Sequence, residues 1–225
     1  MPVAAGGELM NDTNPFTTLI KELKSTLLWD IMIGLPGKVI SYDPDLQRAV
    51  VECGIQRHEG KGVFKTLPHI EHVPVQFAGT AQWSVFHELP EGTEGFIHFS
   101  HRSVDYWLEQ GGPVRPLDAR MFDASDAFFA PGYRSRATCI SGLPTEGIGM
   151  SNAGGTVQLQ LSDIGVKMVA GTQVFQLTEN GMEMTADGQK LELGAGGLKH
   201  NGVNIGGTHK HGGVESGGSK TNVPE

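Results

Sequence analysis

Cysteine is nearly absent. Among 225 residues only Cys53 and Cys139 occur, too few for a disulfide framework, so both are read as free thiols. No run of about 18 apolar residues appears, which leaves no candidate for a membrane-spanning helix. No charged-then-apolar leader opens the chain, so synthesis and assembly in the cytoplasm are expected. Basic residues are in the minority, 17 Lys and Arg against 25 Asp and Glu for a net charge of −8. They are scattered, so no nucleic-acid partner is expected. Hydrophobic content is 38%, low for a compact enzyme of this length. Glycine is what the chain has in excess. Its 32 copies are about twice the usual share. They crowd into the C-terminal third, so composition alone divides the chain in two.

Ahead of that division, residues 1–13 are small and polar. From Asn14 the pattern turns helical: Phe16, Leu19, Ile20, Leu23, Leu27 and Leu28 recur at three and four, giving one apolar stripe. Asn14 and Pro15 supply a cap and a first helical position. The stripe can pack on its own domain or on a neighbouring subunit. After "GLPGK" the pattern alternates. "KVISYDPDLQRAVVECGI" reads as two strands around a turn at Asp43-Pro44-Asp45, with further strands at "VPVQF", "WSVFHEL" and "TEGFIHFSHRS". About five short strands in some 70 residues predict a small β-barrel, of OB type, over 31–110. A Pro- and Asp-rich linker is expected over 111–148.

The last third is a repeat. Sixteen-residue blocks begin at Gly149, Gly165, Gly181 and Gly197, each opening on glycine and then Met150, Val166, Met182 or Leu198. Three blocks share a second apolar pair: Leu159 and Leu161, Phe175 and Leu177, Leu191 and Leu193. Each block supplies two short strands with one apolar face. Such a unit cannot fold alone, and it is too short to close a solenoid coil unaided. Three identical chains, each giving one wall of a triangular prism, would bury the apolar rows along a shared axis. That predicts an intertwined trimeric β-helix over 149–205, and all-β as the fold class.

The repeat runs into "GGTHKHGGV". In an extended strand His209 and His211 face one way and Lys210 the other. One chain offers two imidazoles; a trimer offers six, which suits an octahedral transition metal rather than four-coordinate zinc. Iron is the expected cofactor, one ion per trimer, held by His209 and His211 in a pointed apex over 206–225. His200 stands at the block position of Met168 and Met184 and is read as a core histidine.

These features together resemble the central spike proteins of contractile-tailed bacteriophages, the baseplate-assembly-protein-V-like group. "PGKVISYDPDLQRAVVE" is similar to the opening hairpin of that family's OB domain. "GTEGFIHFSHRSVDYWLEQGG" carries its Asp and Trp as Asp105 and Trp107, and "FDASDAFFAPGY" resembles the segment leaving the domain. "THKHGGVESGGSKTNVPE" resembles the apex, although Lys210 stands where the family often has Thr. The resemblance implies a homotrimer with an OB collar, a triple-stranded β-helix and an apical iron on six histidines, His209 and His211 from each chain. It further implies a membrane-piercing needle at the baseplate tip of the virion, attached to tail hub and baseplate proteins and driven through the bacterial outer membrane.

Two rivals have sequence features of their own. "HIEH" (His69, Glu71, His72) and "HFSH" (His98, His101) would suit a metal-dependent hydrolase. The first lacks a helical context, however, and the second puts its histidines on opposite sides of a strand. No spare stretch of about 100 residues houses a catalytic domain, and no enzyme is expected. Trp83, Tyr106 and Trp107 would suit an OB-fold carbohydrate- or protein-binding module.

Overall fold

A computed structural model describes residues 14–210 together with Gly212, Gly213 and Gly217. The N-terminal tail 1–13, His211 and most of the expected apex lie outside the described residues. The chain divides into two units, one through Cys139 and one from Ile140.

In the first unit, Asn14 Oδ1 accepts from the Phe16 amide at 3.0 Å and Pro15 takes the first helical position, so helix α1 spans Pro15–Asp30. Its stripe finds no cover among the described residues: Phe16, Leu19, Ile20, Leu23, Leu27 and Leu28 are all exposed. Packing on its own domain, one of the two outcomes the sequence left open, is therefore not what the structure shows.

The strands β1 (Gly34–Asp43), β2 (Arg48–Cys53), β3 (Arg57–His58), β4 (Phe64–Lys65), β5 (Ile70–Pro74), β6 (Ala78–Gly79), β7 (Ser84–Val85) and β8 (Glu94–Phe99) follow. Then come the short helix α2 (Asp105–Gln110), a 3-10 turn at Ala124–Asp126 and β9 (Ala127–Pro131). Five of these form one sheet in the order β5-β2-β1-β8-β9. Its two edges meet: Val75 and Phe129 form a parallel bridge, and the Gln76 amide donates to the Phe129 carbonyl at 2.9 Å. Alternation does the work the sequence promised, since β2 and β8 bury every second residue. Val39, Val51, Val73, Ile97 and Phe129 form a fully enclosed core.

One boundary differs. The barrel was expected to end at 110 and a linker to follow, yet β9 lies inside that linker and supplies both the fifth strand and Phe129, which is wholly buried. Its sequence, "AFFAP", is apolar on consecutive residues and sits in a Pro- and Asp-rich stretch, so it lacks the alternation that marked the others. Two other strands differ in place or extent: β5 runs earlier than the expected "VPVQF" and shares only Val73 and Pro74 with it, and "WSVFHEL" yields only Ser84–Val85.

The second unit is one sheet of eight antiparallel strands in sequence order. They are β10 (Ile148–Ser151), β11 (Val157–Ser162), β12 (Gly165–Ala170), β13 (Gln173–Thr178), β14 (Gly181–Ala186), β15 (Gln189–Gly194), β16 (Gly197–His200) and β17 (Val203–Asn204). The 16-residue period is one hairpin, and the block glycines Gly165, Gly181 and Gly197 open alternate strands, while Gly149 is the second residue of β10. Gly165 and Gly181 have φ of 139° and 132°, and an added Cβ would stand 2.0 Å and 2.2 Å from the carbonyl oxygens of Leu177 and Leu193. No side chain fits there. At the opposite ends, Asp187-Gly188 and Asn201-Gly202 have positive φ at both residues, the signature of the tight turn that matches strand twist.

Candidate interaction surfaces and tip

Register turns the second unit into a two-faced wall. One unbroken row runs Met150, Leu159, Met168, Phe175, Met184, Leu191, His200, Val203, each residue opposite the next. Two residues along each strand, on the same face, runs a second row of Ile148, Leu161, Val166, Leu177, Met182, Leu193 and Leu198. The other face carries Gln160, Lys167, Gln176, Glu183, Glu192 and Lys199 in register. There the Lys190 ammonium reaches Glu183 at 2.9 Å and Glu192 at 3.1 Å, and these two carboxylates raise its pKa above the ordinary lysine value. Among the described residues of this unit none is buried. The wall has a polar side suited to water and an apolar side that nothing among the described residues covers.

At the far end the backbone tightens into a turn. The Gly206 amide donates to Asn204 Oδ1 at 2.9 Å, and Asn204 Nδ2 donates to Thr208 Oγ1 at 3.0 Å. His209 closes it, with Nδ1 2.6 Å from the Gly206 carbonyl. A carbonyl only accepts, so Nδ1 is the donor in this contact and Nε2 is the ring nitrogen not engaged in it. This is the pattern by which a backbone carbonyl orients a metal-binding imidazole. Among the described residues no group of three or more His, Cys, Asp or Glu side chains could hold a metal ion within one chain. The donor type fits a transition metal, and the donor number would require several copies.

The first unit contains an ionic knot that sequence reasoning missed. Asp126 is fully buried, and both its oxygens accept from Arg120, Oδ2 from Nε at 2.9 Å and Oδ1 from Nη2 at 2.8 Å. Oδ1 also accepts from the Val104 amide at 3.0 Å. Asp105 joins the knot through Arg120 Nη2 and Ser103 Oγ, and the guanidinium holds its carboxyl below the ordinary range. Trp107 lies edge-on to Phe128 at 6.1 Å. Asp105 and Trp107 thus fasten α2 to the start of β9. The one available signal for Arg120 was its position as a lone cation among Asp118, Asp123 and Asp126.

A second clasp holds the chain after β9. Glu94 accepts from the Ser135 amide at 2.6 Å and from Thr138 Oγ1 at 2.6 Å, bonds that pull its carboxyl below the ordinary value.

The remaining histidines stand apart. His69 is in an exposed loop, while Glu71 and His72 lie exposed on β5. His98 is on β8 against Phe96, whereas His101 lies beyond the strand, stacked on Phe122 at 4.7 Å. Trp83 does not pack into the barrel. It is 80% exposed on the β6–β7 hairpin, with Val85 and Phe86 exposed beside it.

With this geometry established, comparison with known families adds one match, to the family described as phage protein Gp138 N-terminal domain. Residues 35–132 match this phage domain. The matched segment takes in β1 through β9 and stops before the repeat sheet, so the strand found inside the expected linker belongs to the domain. The match fits a phage baseplate or spike protein, a structural role and a place in the virion. Among curated proteins, none matches the chain.

Proposed function

We propose that this chain is the central spike of a contractile phage tail, a homotrimer whose OB-type barrel sits on the tail hub and whose repeat sheet forms one wall of a three-sided needle. The observation that carries this reading is the wall itself: one row on eight strands that is apolar at every place but His200, a second apolar row on seven of them, and no buried residue among those described in this unit.

Copies of the same sheet are the fitting cover. The apolar rows repeat at strand spacing, about 4.8 Å, so a partner matches them along their whole length only if it has the same spacing. Three copies around one axis satisfy this and leave the Lys and Glu rows facing water. Interwoven walls resist peeling and bending, which is what a needle driven through an outer membrane requires. The exposed Trp83, Val85 and Phe86 on the barrel give the hub or baseplate an apolar contact.

At the apex, His209 and His211 of three chains would hold one iron ion. The bound ion would supply a six-nitrogen cross-link at the end of the needle, where fraying is otherwise expected. The contact between His209 Nδ1 and the Gly206 carbonyl supports that role, because it orients the ring through the nitrogen that would not ligate. The proposed work is mechanical, not catalytic.

Light scattering of the full chain, with elemental analysis of the same sample, tests the reading. The expected result is a particle of three times 24.1 kDa with one iron per particle, and loss of that metal in His209→Ala/His211→Ala. A folded particle of single-chain mass would overturn it.

A further inference from the structure

His200 breaks the pattern of the wall. It stands in the same row as Leu191 and Val203 and directly opposite both. Every other described member of that row is Met, Leu, Phe or Val. On the apolar face of a full strand such as β12, positions 166, 168 and 170 project together, and this row holds the middle place. In a three-sided needle the middle of each wall lies nearest the axis, so three copies of His200 converge there, several residues below the His209 tip.

The position is built, not incidental. The Asn201-Gly202 turn, with φ of 49° and 81°, fixes the end of β16. The Lys190 amide donates to Asn201 Oδ1 at 2.8 Å, and the Asn201 amide donates back to the Lys190 carbonyl at 2.8 Å. This double clasp locks the register that puts His200 on the apolar face. Its neighbours on that face, Leu191, Leu198 and Val203, offer it no side-chain hydrogen bond. The nearby charges, Lys190, Glu192 and Lys199, all lie on the opposite face.

We infer that the three His200 imidazoles form a second metal site on the needle axis, taking one divalent first-row transition ion with a water as fourth ligand. The inference rests on the trimeric reading above. An imidazole that the other two walls cover without giving it a partner is costly, and three imidazoles plus water make a complete tetrahedral shell. This site differs from the tip in ligand number and geometry, so the two are separable spectroscopically.

The test uses the full-length His209→Ala/His211→Ala chain, which lacks the tip ligands, with Co²⁺ as the probe and particle mass measured first. The expected result is a trimer binding one Co²⁺ per three chains with the intense visible absorption of a tetrahedral site. Adding His200→Leu should abolish that uptake with the trimer intact, since Leu191 shows that the row takes leucine. His200→Gln, polar but without an imidazole, serves as the second variant and should behave alike. A trimer that takes up no cobalt, or takes it up equally with His200 replaced, overturns the site while leaving the spike reading in place. A monomer overturns both.

Discussion

Arg120 reaches the wholly buried carboxylate of Asp126 with two donors, Nε at 2.9 Å and Nη2 at 2.8 Å. A buried charge that loses its counter-charge is penalised far more than a surface pair gains. Arg120→Met should therefore destabilise the first unit by about 3–5 kcal/mol, and Arg120→Met/Asp126→Asn should recover part of the loss. Calorimetry that separates the melting of the two units reads this. The transition of the repeat sheet should not move, because the knot lies entirely in the first unit.

Acid should loosen the same unit. The carboxyl groups of Asp105 and Glu94 are both held below their ordinary values near ~4, Asp105 first by Arg120 and Glu94 first by the Ser135 amide. A depressed folded value means the charged form stabilises the fold. That contribution is complete above the unfolded value and is lost as pH falls through the lower, folded value. Thermal midpoints measured from pH 6 to pH 2 should fall only below about pH 4. Asp105→Asn should flatten part of that slope and lower the plateau above it.

The glycines of the repeat are separable into those that turn and those that allow close approach. At Gly181 a Cβ would stand 2.2 Å from the Leu193 carbonyl oxygen, whereas at Gly171, also of positive φ, it would meet nothing within 4 Å. Gly181→Ala should break the β14–β15 ladder and cost well over ~1 kcal/mol, and Gly171→Ala should cost only the conformational strain, about 1 kcal/mol. Heat resistance of the repeat segment, followed by circular dichroism, distinguishes the two. Equal losses would mean that crowding against Leu193 is not the reason for glycine there.

Much of this was legible in the residues because period-2 alternation survives wherever a strand has one wet face. The β1–β2 hairpin, β8 and the paired strands of each repeat block all announced themselves that way. β9 did not. Phe128 and Phe129 are adjacent, one against Trp107 and the other in the core, and such a strand has no alternation to read. The knot at Arg120 was hidden for another reason: its partners, Asp105 and Asp126, are brought together by tertiary packing of α2 against the turn before β9. His209 was visible as a motif. The contact that orients its ring depends on a turn made by Asn204 and Gly206, whose geometry composition does not reveal.

The apolar wall makes the sharpest demand, because two adjacent residues on one strand should behave oppositely. Phe175 lies in the middle apolar row between Met168 and Met184, and Gln176, the next residue, lies between Lys167 and Glu183 on the other face. If copies of the sheet cover the apolar side, Phe175→Asp removes about 1.5–3 kcal/mol of burial per chain. It also brings three carboxylates together in a dry interior. The trimer should dissociate, and light scattering should report single chains or aggregates. Gln176→Asp adds the same charge to the same strand on the solvated face, so its particle mass should be unchanged. A trimer that survives Phe175→Asp would show that this face is not the one that assembles.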